Sequence, residues 1–306
     1  MSRSLAAFGL VPPGALARGG RSRVSNFVTS PRCCTSLAGT HSSAITWNVN
    51  SLRALMRKNP NALQDLVEEH NPDILCLQET KLQEIHEGLF ADALQGYESS
   101  VFHSSRARLG YSGTAVFAKR EPQCVQFNIR HEDGDLEGRV VCLEYPGAIV
   151  VNVYTMNAGQ NFKRLDQRMT WDSAFRRYVR NLRREGKPVI VLGDLNVARD
   201  PVDVHSPKTA KRLPGFSDEE RQSFEDTLEV CGLVDAYRML YPDEKEKYTF
   251  WDYKSRARDR NMGWRIDYAL VTDDMVRAVK DVHILDHVEG SDHCPVSIQF
   301  TPGLLW

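Results

Sequence analysis

Residues 189–196 read Val-Ile-Val-Leu-Gly-Asp-Leu-Asn, and this segment is the clearest indication of the fold class of the chain. Its four leading apolar residues, three of them β-branched, predict a strand that is covered on both faces of its sheet. A helical pattern spans residues 164–185 just before it. The apolar face of that predicted helix carries Trp171, Phe175, Tyr178, Val179 and Leu182. A long amphipathic helix that leads into a buried strand is typical of an α/β fold.

The same alternation of apolar strands and helices continues in both directions from this stretch. Strands are predicted at residues 44–49, 74–77, 113–118, 140–145, 149–154, 189–192, 266–271 and 296–300. Helices are predicted at residues 61–70, 164–185 and 219–231. Because no repeat or long low-complexity linker interrupts residues 44–306, we predict one domain there, with two packed sheets and outer helices.

Charge is distributed unevenly along the 306 residues. Five of the 39 basic residues and none of the 40 acidic ones lie in residues 1–43, which leaves 34 basic and 40 acidic residues, a net of −6. A protein that held DNA by charge alone would be basic. Any contact with nucleic acid therefore requires a local basic patch. Its candidates are Arg53, Lys81, Lys208, Lys211, Arg212, Arg256, Arg258 and Arg260.

The first 43 residues have the composition of a targeting segment. They are rich in Ser, Ala, Gly and Arg and contain no Asp or Glu, which is typical of a transit peptide for a mitochondrion or plastid. A secretory signal is disfavoured because Pro12 and Pro13 interrupt the only apolar candidate. A disordered tail and a nuclear location are the alternatives. No run approaches the roughly 18 apolar residues of a membrane-spanning helix, so we expect no membrane insertion.

The seven cysteines do not match a zinc-binding pattern. Their number is odd, and most stand in apolar runs such as residues 74–77 and 140–143. Buried free thiols in a reducing compartment are the favoured interpretation.

Polar side chains suited to catalysis stand at the ends of the predicted strands. They are Asn48, Glu79, Asp194, Asn196, Asp267, Asp292 and His293. Strand ends that meet at one edge bring such side chains into one cleft. Each motif alone has an ordinary explanation, such as a turn or a helix cap. The prediction of an active site therefore depends on their joint occurrence.

The chemical types in this set indicate which metal would bind. Four carboxylates, two amides and one imidazole are available. Carboxylate oxygens suit Mg²⁺, which keeps several waters and takes one or two carboxylates together with a substrate phosphate. A single histidine argues against zinc, which prefers His and Cys ligands. We therefore predict Mg²⁺ as the cofactor, with Mn²⁺ as a substitute.

Spacing and chemistry suggest roles for two pairs of residues. In an extended backbone Asp194 and Asn196 lie on one face, where the carboxylate can orient or deprotonate a water and the amide can hold it. Asp267 can fix the tautomer of His293 and stabilise its positive form. A cationic imidazole would counter the charge that develops on a phosphoryl group during hydrolysis.

Five motifs resemble the exonuclease III type of abasic-site endonuclease, in the endonuclease/exonuclease/phosphatase superfamily. They are Trp47-Asn48-Val49-Asn50, Leu77-Gln78-Glu79-Thr80-Lys81, Gly193-Asp194-Leu195-Asn196, Gly263-Trp264-Arg265-Ile266-Asp267-Tyr268 and Gly290-Ser291-Asp292-His293-Cys294-Pro295. The resemblance implies a four-layer α/β sandwich of two packed mixed β-sheets flanked by helices, and we expect a monomer. It also implies Mg²⁺-dependent DNA repair, by hydrolysis of the phosphodiester 5′ to an abasic site in double-stranded DNA to leave a 3′-hydroxyl. Activity as a 3′-phosphodiesterase and 3′→5′ exonuclease on blocked 3′ ends is implied as well.

The resemblance assigns metal binding and water activation to particular residues. Glu79 resembles the principal metal ligand, with Asn48 beside it. Asp292 resembles a second metal or leaving-group residue. Asp194 resembles the group that activates or orients the attacking water, supported by Asn196.

The resemblance also assigns the contacts to the substrate. His293, paired with Asp267, resembles the histidine that contacts the phosphate, and Tyr154 and Asn157 resemble further phosphate contacts. The apolar pocket that receives a flipped abasic sugar is matched by Phe250, Trp264 and Ile266. Plain core packing is the alternative for the aromatic residues of that pocket.

Three positions depart from the family pattern. Met156 stands where Pro is frequent, and Gln160 stands where some relatives place an arginine that inserts into DNA. Asn50 stands where several relatives carry Asp, so one carboxylate of the metal site is missing. These departures concern strand insertion and metal stoichiometry.

Two other functions fit part of the pattern. A phosphatase or phosphodiesterase of the same superfamily, acting on a small molecule or lipid, is disfavoured by the Gly263-Trp264-Arg265 sequence before Asp267. A DNA-binding relative without enzymatic activity is disfavoured because the acidic, amide and histidine residues of the motifs are all present.

Overall fold

The computed structural model describes residues 41–184 and 186–306. All of them belong to one compact unit, Ala38–Trp306. The predicted targeting segment therefore lies outside the described residues except for its last three positions, and its separation from the domain stays a prediction. The first strand begins at Ser42, two residues before the predicted start of the domain.

The described residues form twelve strands and eight α-helices. The strands are β1 (Ser42–Asn48), β2 (Ile74–Gln78), β3 (Ser99–His103), β4 (Thr114–Ala118), β5 (Cys124–Phe127), β6 (Val140–Glu144), β7 (Ile149–Tyr154), β8 (Val189–Asp194), β9 (Leu233–Asp235), β10 (Asp267–Thr272), β11 (Val279–Ile284) and β12 (Val296–Phe300). The helices are α1 (Leu52–Lys58), α2 (Ala62–His70), α3 (Glu84–Glu87), α4 (Glu132–Asp135), α5 (Leu165–Arg183), α6 (Pro207–Ala210), α7 (Asp218–Cys231) and α8 (Ala236–Leu240).

The strands form two mixed sheets of six strands each. The first sheet has the order β11-β12-β1-β2-β4-β3, and the second has the order β5-β6-β7-β8-β10-β9. Each sheet contains one parallel pair, β1 with β2 and β7 with β8, and its other neighbours run antiparallel. The prediction of two mixed sheets is confirmed.

Alternating side chains along each strand explain why the molecule has four layers. In β8, Ile190 points into the core between the two sheets, whereas Val191 packs in the cluster that contains Trp171 of α5. In β2, Ile74 faces the other sheet and Leu75 faces the cluster under α1 and α2. A strand covered on both faces buries both rows of its side chains, which explains the uninterrupted apolar run at residues 189–192.

The predicted elements match the observed ones to within two residues at every described boundary, and the predicted end of the long helix at residue 185 lies outside the described residues. The sequence patterns missed β3, β5, β9 and β11. Three of these strands are partly exposed along their length, and β9 has only three residues, so none presents a continuous apolar run.

Two predictions from composition can be compared with the described residues. Within the described part of the chain, no helix is long and apolar enough to cross a membrane. Cys76, Cys142, Cys231 and Cys294 are buried as predicted, whereas Cys124 is exposed on β5.

Candidate active site

The register of the strands brings the polar strand ends to one edge of both sheets. Asp194 ends β8, where it is paired with Asp267 at the start of β10 and with Tyr154 at the end of β7. Asn48 ends β1, and His293 lies just before β12, which is antiparallel to β1. The predicted convergence of these residues is therefore a consequence of strand pairing.

Asn48 joins the two sheets at this edge through its fully buried side chain. Its Nδ2 donates to Glu79 Oε1 at 3.0 Å and to Asp194 Oδ2 at 2.9 Å. Its Oδ1 accepts from the backbone N–H of Asn50 at 3.0 Å. The amide thus fixes the separation of two carboxylates that belong to different sheets.

Asp194 accepts hydrogen bonds at both carboxylate oxygens, Oδ1 from a backbone turn and Oδ2 from the Asn48 amide. Its Oδ1 accepts from the backbone N–H of Asn196 at 2.8 Å, so the ordinary turn interpretation of this motif is correct for one oxygen. Burial and the negative charge of Asp267 raise the pKa of Asp194 to about 7, although His293 opposes the shift. A carboxyl group with a pKa near neutrality is suited to accept a proton during catalysis.

His293 is held by a buried carboxylate. Its Nδ1 lies 2.8 Å from Asp267 Oδ2, and its Nε2 lies 4.0 Å from Asp194 Oδ2. Burial alone would lower the pKa of His293, but the charge and hydrogen bond of Asp267 outweigh it and raise the pKa to about 10. The imidazole is therefore cationic at neutral pH, as the sequence-based hypothesis requires.

Glu79 lies at the rim of the site beside a lysine. Its Oε2 is 2.8 Å from Lys81 Nζ, and Lys81 also contacts Asn50 Oδ1. Burial would raise the pKa of Glu79, but Lys81 and the hydrogen bond from Asn48 hold that pKa below its usual range. Asn50 in turn donates from Nδ2 to Asp292 Oδ1 at 2.9 Å and from its backbone N–H to Asn48 Oδ1, so it links two of the three predicted metal ligands.

The donor set of the site fits a divalent cation. Among the described residues, Asp194 and Asp267 carry carboxylate oxygens within 4.8 Å of each other, and Asp267 Oδ1 is buried without a hydrogen-bond partner. The His293 imidazolium lies beside them but has no lone pair to give to a cation. Glu79 and Asp292 line the same cleft and add further carboxylate oxygens. An oxygen-rich set of this kind suits a hard cation.

Tyr154 and Asn157 lie on the second sheet's side of the cleft. The Tyr154 hydroxyl is hydrogen-bonded to Glu79, and burial together with that carboxylate raises the tyrosine pKa well above its usual value. The ring of Tyr154 lies 4.6 Å from the guanidinium of Arg139. Asn157 Nδ2 donates to Asn196 Oδ1 at 2.9 Å, which couples the two predicted phosphate-binding loops.

The predicted apolar pocket opens from the same cleft, whose volume is about 630 Å³. Phe250, Trp264 and Ile266 line it together with the acidic and amide side chains. The ring of Phe250 lies 4.9 Å from that of His293, and Trp264 packs edge-on against Phe216 at 6.3 Å. These side chains are therefore part of the cleft wall and not only of the core.

The sequence motifs missed the buried arginines that hold these loops. Arg168 of α5 donates to the carbonyls of Met156 at 3.0 Å, Asn196 at 3.2 Å and Leu195 at 2.9 Å. Arg265 binds Asp203 through two hydrogen bonds, at 2.8 and 3.0 Å. Their partners are far away in sequence, so no local pattern could have predicted these contacts.

The basic residues proposed for DNA contact differ in their roles. Arg258 is used within the protein, since it donates to the carbonyls of Asp286 and Val288 at 2.7 Å each and stacks on Trp251. Lys81 is paired with Glu79. The remaining candidates are exposed; they are Arg53, Lys208, Lys211, Arg212, Arg256 and Arg260.

Comparison with known proteins agrees with this geometry. The profile of the endonuclease/exonuclease/phosphatase family matches residues 45–293, which include every predicted site residue from Asn48 to His293. The chain belongs to this family. Within it, the similarities below group the chain with the exonuclease III type of abasic-site endonuclease, as its motifs predicted.

Relatives and solved structures cover nearly the whole described domain. An exodeoxyribonuclease of Bacillus subtilis (strain 168) is 44% identical over 254 residues, which are 83% of this chain and 97% of that protein. The DNA repair nuclease APEX1 of Danio rerio is 42% identical over 255 residues, which are 83% of this chain and 80% of that protein. The AP endonuclease LMAP of Leishmania major superimposes with a TM-score of 0.78 at 34% identity, over 86% of this chain and 88% of that one.

Proposed function

We propose that this protein is a DNA-repair endonuclease that hydrolyses the phosphodiester 5′ to an abasic site and leaves a 3′-hydroxyl. The observation that most directly supports this activity is that Phe250, Trp264 and Ile266 line the same cleft as Asp194 and His293. An abasic nucleotide has lost stacking and pairing, so its extrusion from the duplex costs little free energy. A narrow aromatic pocket then accepts the bare sugar and excludes a nucleotide that keeps its base. The names of the relatives support this substrate.

Each side chain of the cleft has a distinct role in the proposed hydrolysis. Asp194, whose pKa is raised to about 7, accepts the proton of the attacking water. The cationic imidazole of His293 donates from Nε2 to a phosphate oxygen and balances the charge that develops there. Asn157 and Asn196 are linked at 2.9 Å and orient the phosphate and the water. Tyr154 adds a hydroxyl group on the same side of the cleft as Asn157.

Mg²⁺ is the proposed cofactor, with Mn²⁺ as a substitute. Glu79 would hold it as an ionised carboxylate, with Asp292 and the amide oxygen of Asn48 or Asn50 nearby. A bound divalent cation would supply Lewis-acid stabilisation of the phosphate and of the leaving oxygen. Because Asn50 replaces a carboxylate, we expect a single tightly held ion.

The test is incision of a duplex that contains one tetrahydrofuran abasic analogue. We expect Mg²⁺-dependent cleavage on the 5′ side of the analogue, complete loss of cleavage in EDTA, and extension of the product by a DNA polymerase, which requires a 3′-hydroxyl. Full activity in EDTA, or a product that no polymerase extends, would contradict the proposal. Hydrolysis of a small phosphate ester without cleavage of the duplex would favour the phosphatase alternative.

Three finer features belong to the same proposal. The open cleft suits a blocked or mismatched 3′ end, so we propose 3′-phosphodiesterase and 3′→5′ exonuclease activity on duplexes with 3′-phosphoglycolate or frayed ends. We propose a monomer, which sedimentation would test.

We also propose that residues 1–43 direct the protein to a mitochondrion or plastid. A fluorescent fusion of that segment would test this location, and a diffuse or nuclear signal would contradict it.

A further inference from the structure

A second group of metal-ligating side chains lies outside the cleft. It consists of Glu69, His70 and His287, and none of the three lines the cleft. Glu69 and His70 end α2, and His287 lies in the turn that follows β11. One carboxylate oxygen and two ring nitrogens from these residues lie within 4.8 Å of one another.

Apolar packing explains why His287 lies over the end of α2. Leu285 and Val288 belong to the same buried cluster as Leu66 and Val67 of the helix. The backbone N–H of Val288 donates to the carbonyl of Leu285 at 3.0 Å and closes the turn. The position of His287 is therefore fixed by its neighbours and does not depend on its own side chain.

Two of the three separations within the group match those of ligands around one ion. Glu69 Oε1 lies 3.5 Å from His70 Nε2 and 3.5 Å from His287 Nε2. Zinc binds nitrogen and oxygen ligands at roughly 2.0–2.2 Å, so two ligand atoms of a tetrahedral ion are about 3.3–3.5 Å apart. The same separation is long for a hydrogen bond.

An unsatisfied nitrogen provides a second observation. His70 Nε2 is buried and has no hydrogen-bond partner among the described residues, although the imidazole is a strong polar group. This nitrogen lies beside the Glu69 carboxylate and the ring of His287. The centroids of the His70 and His287 rings are 6.2 Å apart. A buried polar atom without a partner calls for a ligand or another cause, and a cation among these three groups would supply its partner.

We propose that Glu69, His70 and His287 form a second metal site, which binds a transition-metal cation such as Zn²⁺ with water as the fourth ligand. Two imidazoles and one carboxylate are a recurring zinc set. Imidazole nitrogen favours zinc and its neighbours over Mg²⁺, so this site and the oxygen-rich cleft select different cations. The bound ion ties α2 to the turn that leads into the Gly290-Ser291-Asp292-His293 motif.

The experiment is a titration of the full chain with Co²⁺, a spectroscopic probe for zinc sites, in the presence of excess Mg²⁺. We expect visible absorption bands of a four-coordinate Co²⁺ ion that saturate at one equivalent and are abolished by Zn²⁺. In His287→Ala we expect at least tenfold weaker binding, and its fold should persist because the His287 side chain is 58% exposed. Glu69→Gln serves as a second ligand variant, and Glu68→Gln and His41→Ala are the matched controls.

A second readout uses thermal unfolding. Stoichiometric Zn²⁺ should raise the Tm of the native protein and of both controls, because a ligand that binds only the folded state stabilises that state. In His287→Ala this rise in Tm should be lost. Absence of four-coordinate bands in the native protein would overturn the proposal. Equal bands and equal affinity in His287→Ala would also overturn it, because the ion would then lie elsewhere. Neither readout requires DNA cleavage, so the result is independent of the proposed function.

Discussion

At the scale of single residues, one buried carboxylate controls two protonation states. Burial first, and then the negative charge of Asp267, raise the pKa of Asp194 to about 7, because two like charges in a buried site cannot both ionise easily. The same charge raises the pKa of His293 to about 10, because it stabilises the imidazolium. The site therefore holds a proton acceptor and a cationic donor side by side at neutral pH.

Replacement of either partner should remove most of the activity. We expect Asp194→Asn and His293→Ala each to lower the single-turnover incision rate at least ~100-fold, the usual scale for a lost acid–base or charge-stabilising group. Unchanged circular dichroism would show that both variants are folded. Near-normal rates in a folded variant would remove that residue from the mechanism.

The Asp267→Asn variant tests the charge coupling through its pH dependence. Without the carboxylate, the pKa of His293 falls from about 10 towards its ordinary value, so the imidazolium is present below that value and lost as the pH rises through it. The pKa of Asp194 falls as well, so both limbs of the pH–rate profile move to lower pH. We expect a larger rate deficit at pH 9 than at pH 6, and a constant deficit across that range would contradict the assigned role of His293.

At the scale of elements, the segment between β9 and β10 forms the wall of the pocket. Phe250 and Trp264 are joined by backbone hydrogen bonds at 2.9 Å in both directions, and Phe250 also forms a bridge with His293. The aromatic wall and His293, the proposed phosphate-contacting histidine, are thus parts of one backbone ladder. A change in the wall should alter substrate choice more than the chemistry of hydrolysis.

Trp264→Ala tests that separation. Because the enlarged pocket no longer excludes a base, the ratio of incision rates on abasic and intact duplexes should fall at least tenfold, in the range of about 1–3 kcal/mol for one apolar contact. The matched control is Trp306→Ala, whose ring packs on Tyr145 at 5.2 Å and lines no part of the cleft. An unchanged ratio in Trp264→Ala would show that the tryptophan is only a packing residue.

The elements also show how far the sequence could predict the site. The strand ends at Asn48 and Asp194 were predictable because apolar runs of fixed length place polar residues at known positions. The hydrogen bonds of Arg168 and Arg265 were not, because an arginine looks like a surface residue until its partners are known. The proximity of His70 to His287 was missed for the same reason, since 217 positions separate them in the chain.

At the scale of the whole molecule, one buried ion-pair network ties distant segments together. Asp203 is fully buried between Arg265 and Arg238, and Arg265 also binds Asp235 at 2.7 Å. Burial would raise the pKa of Asp203, but the two guanidinium groups outweigh it and hold that pKa below its usual range. The network joins α8, β9 and the start of β10, and so supports the wall of the pocket.

Asp203→Asn should therefore destabilise the fold by about 3–5 kcal/mol, because it removes the carboxylate partner of the buried Arg238 and leaves Arg265 with Asp235 alone. The stability that the native carboxylate contributes is present above its unfolded pKa of roughly 3.9 and is lost as the pH falls through its lower folded pKa. We expect a constant difference in unfolding free energy from pH 5 to 8 and a shrinking difference below pH 4. Urea unfolding at each pH measures these differences, with Asp259→Asn as the exposed control. Equal stability of the native protein, Asp203→Asn and Asp259→Asn would exclude a stabilising role for the Asp203 network.

Abasic-site specificity can be measured with two duplexes that differ at one position, which holds either an abasic analogue or an ordinary nucleotide. We expect the native protein, with Mg²⁺, to cleave the abasic duplex at its 5′ phosphodiester at least about 100-fold faster than the intact duplex under single-turnover conditions. Equal rates on the two duplexes would contradict it, because a cleft with an excluding pocket cannot treat them alike.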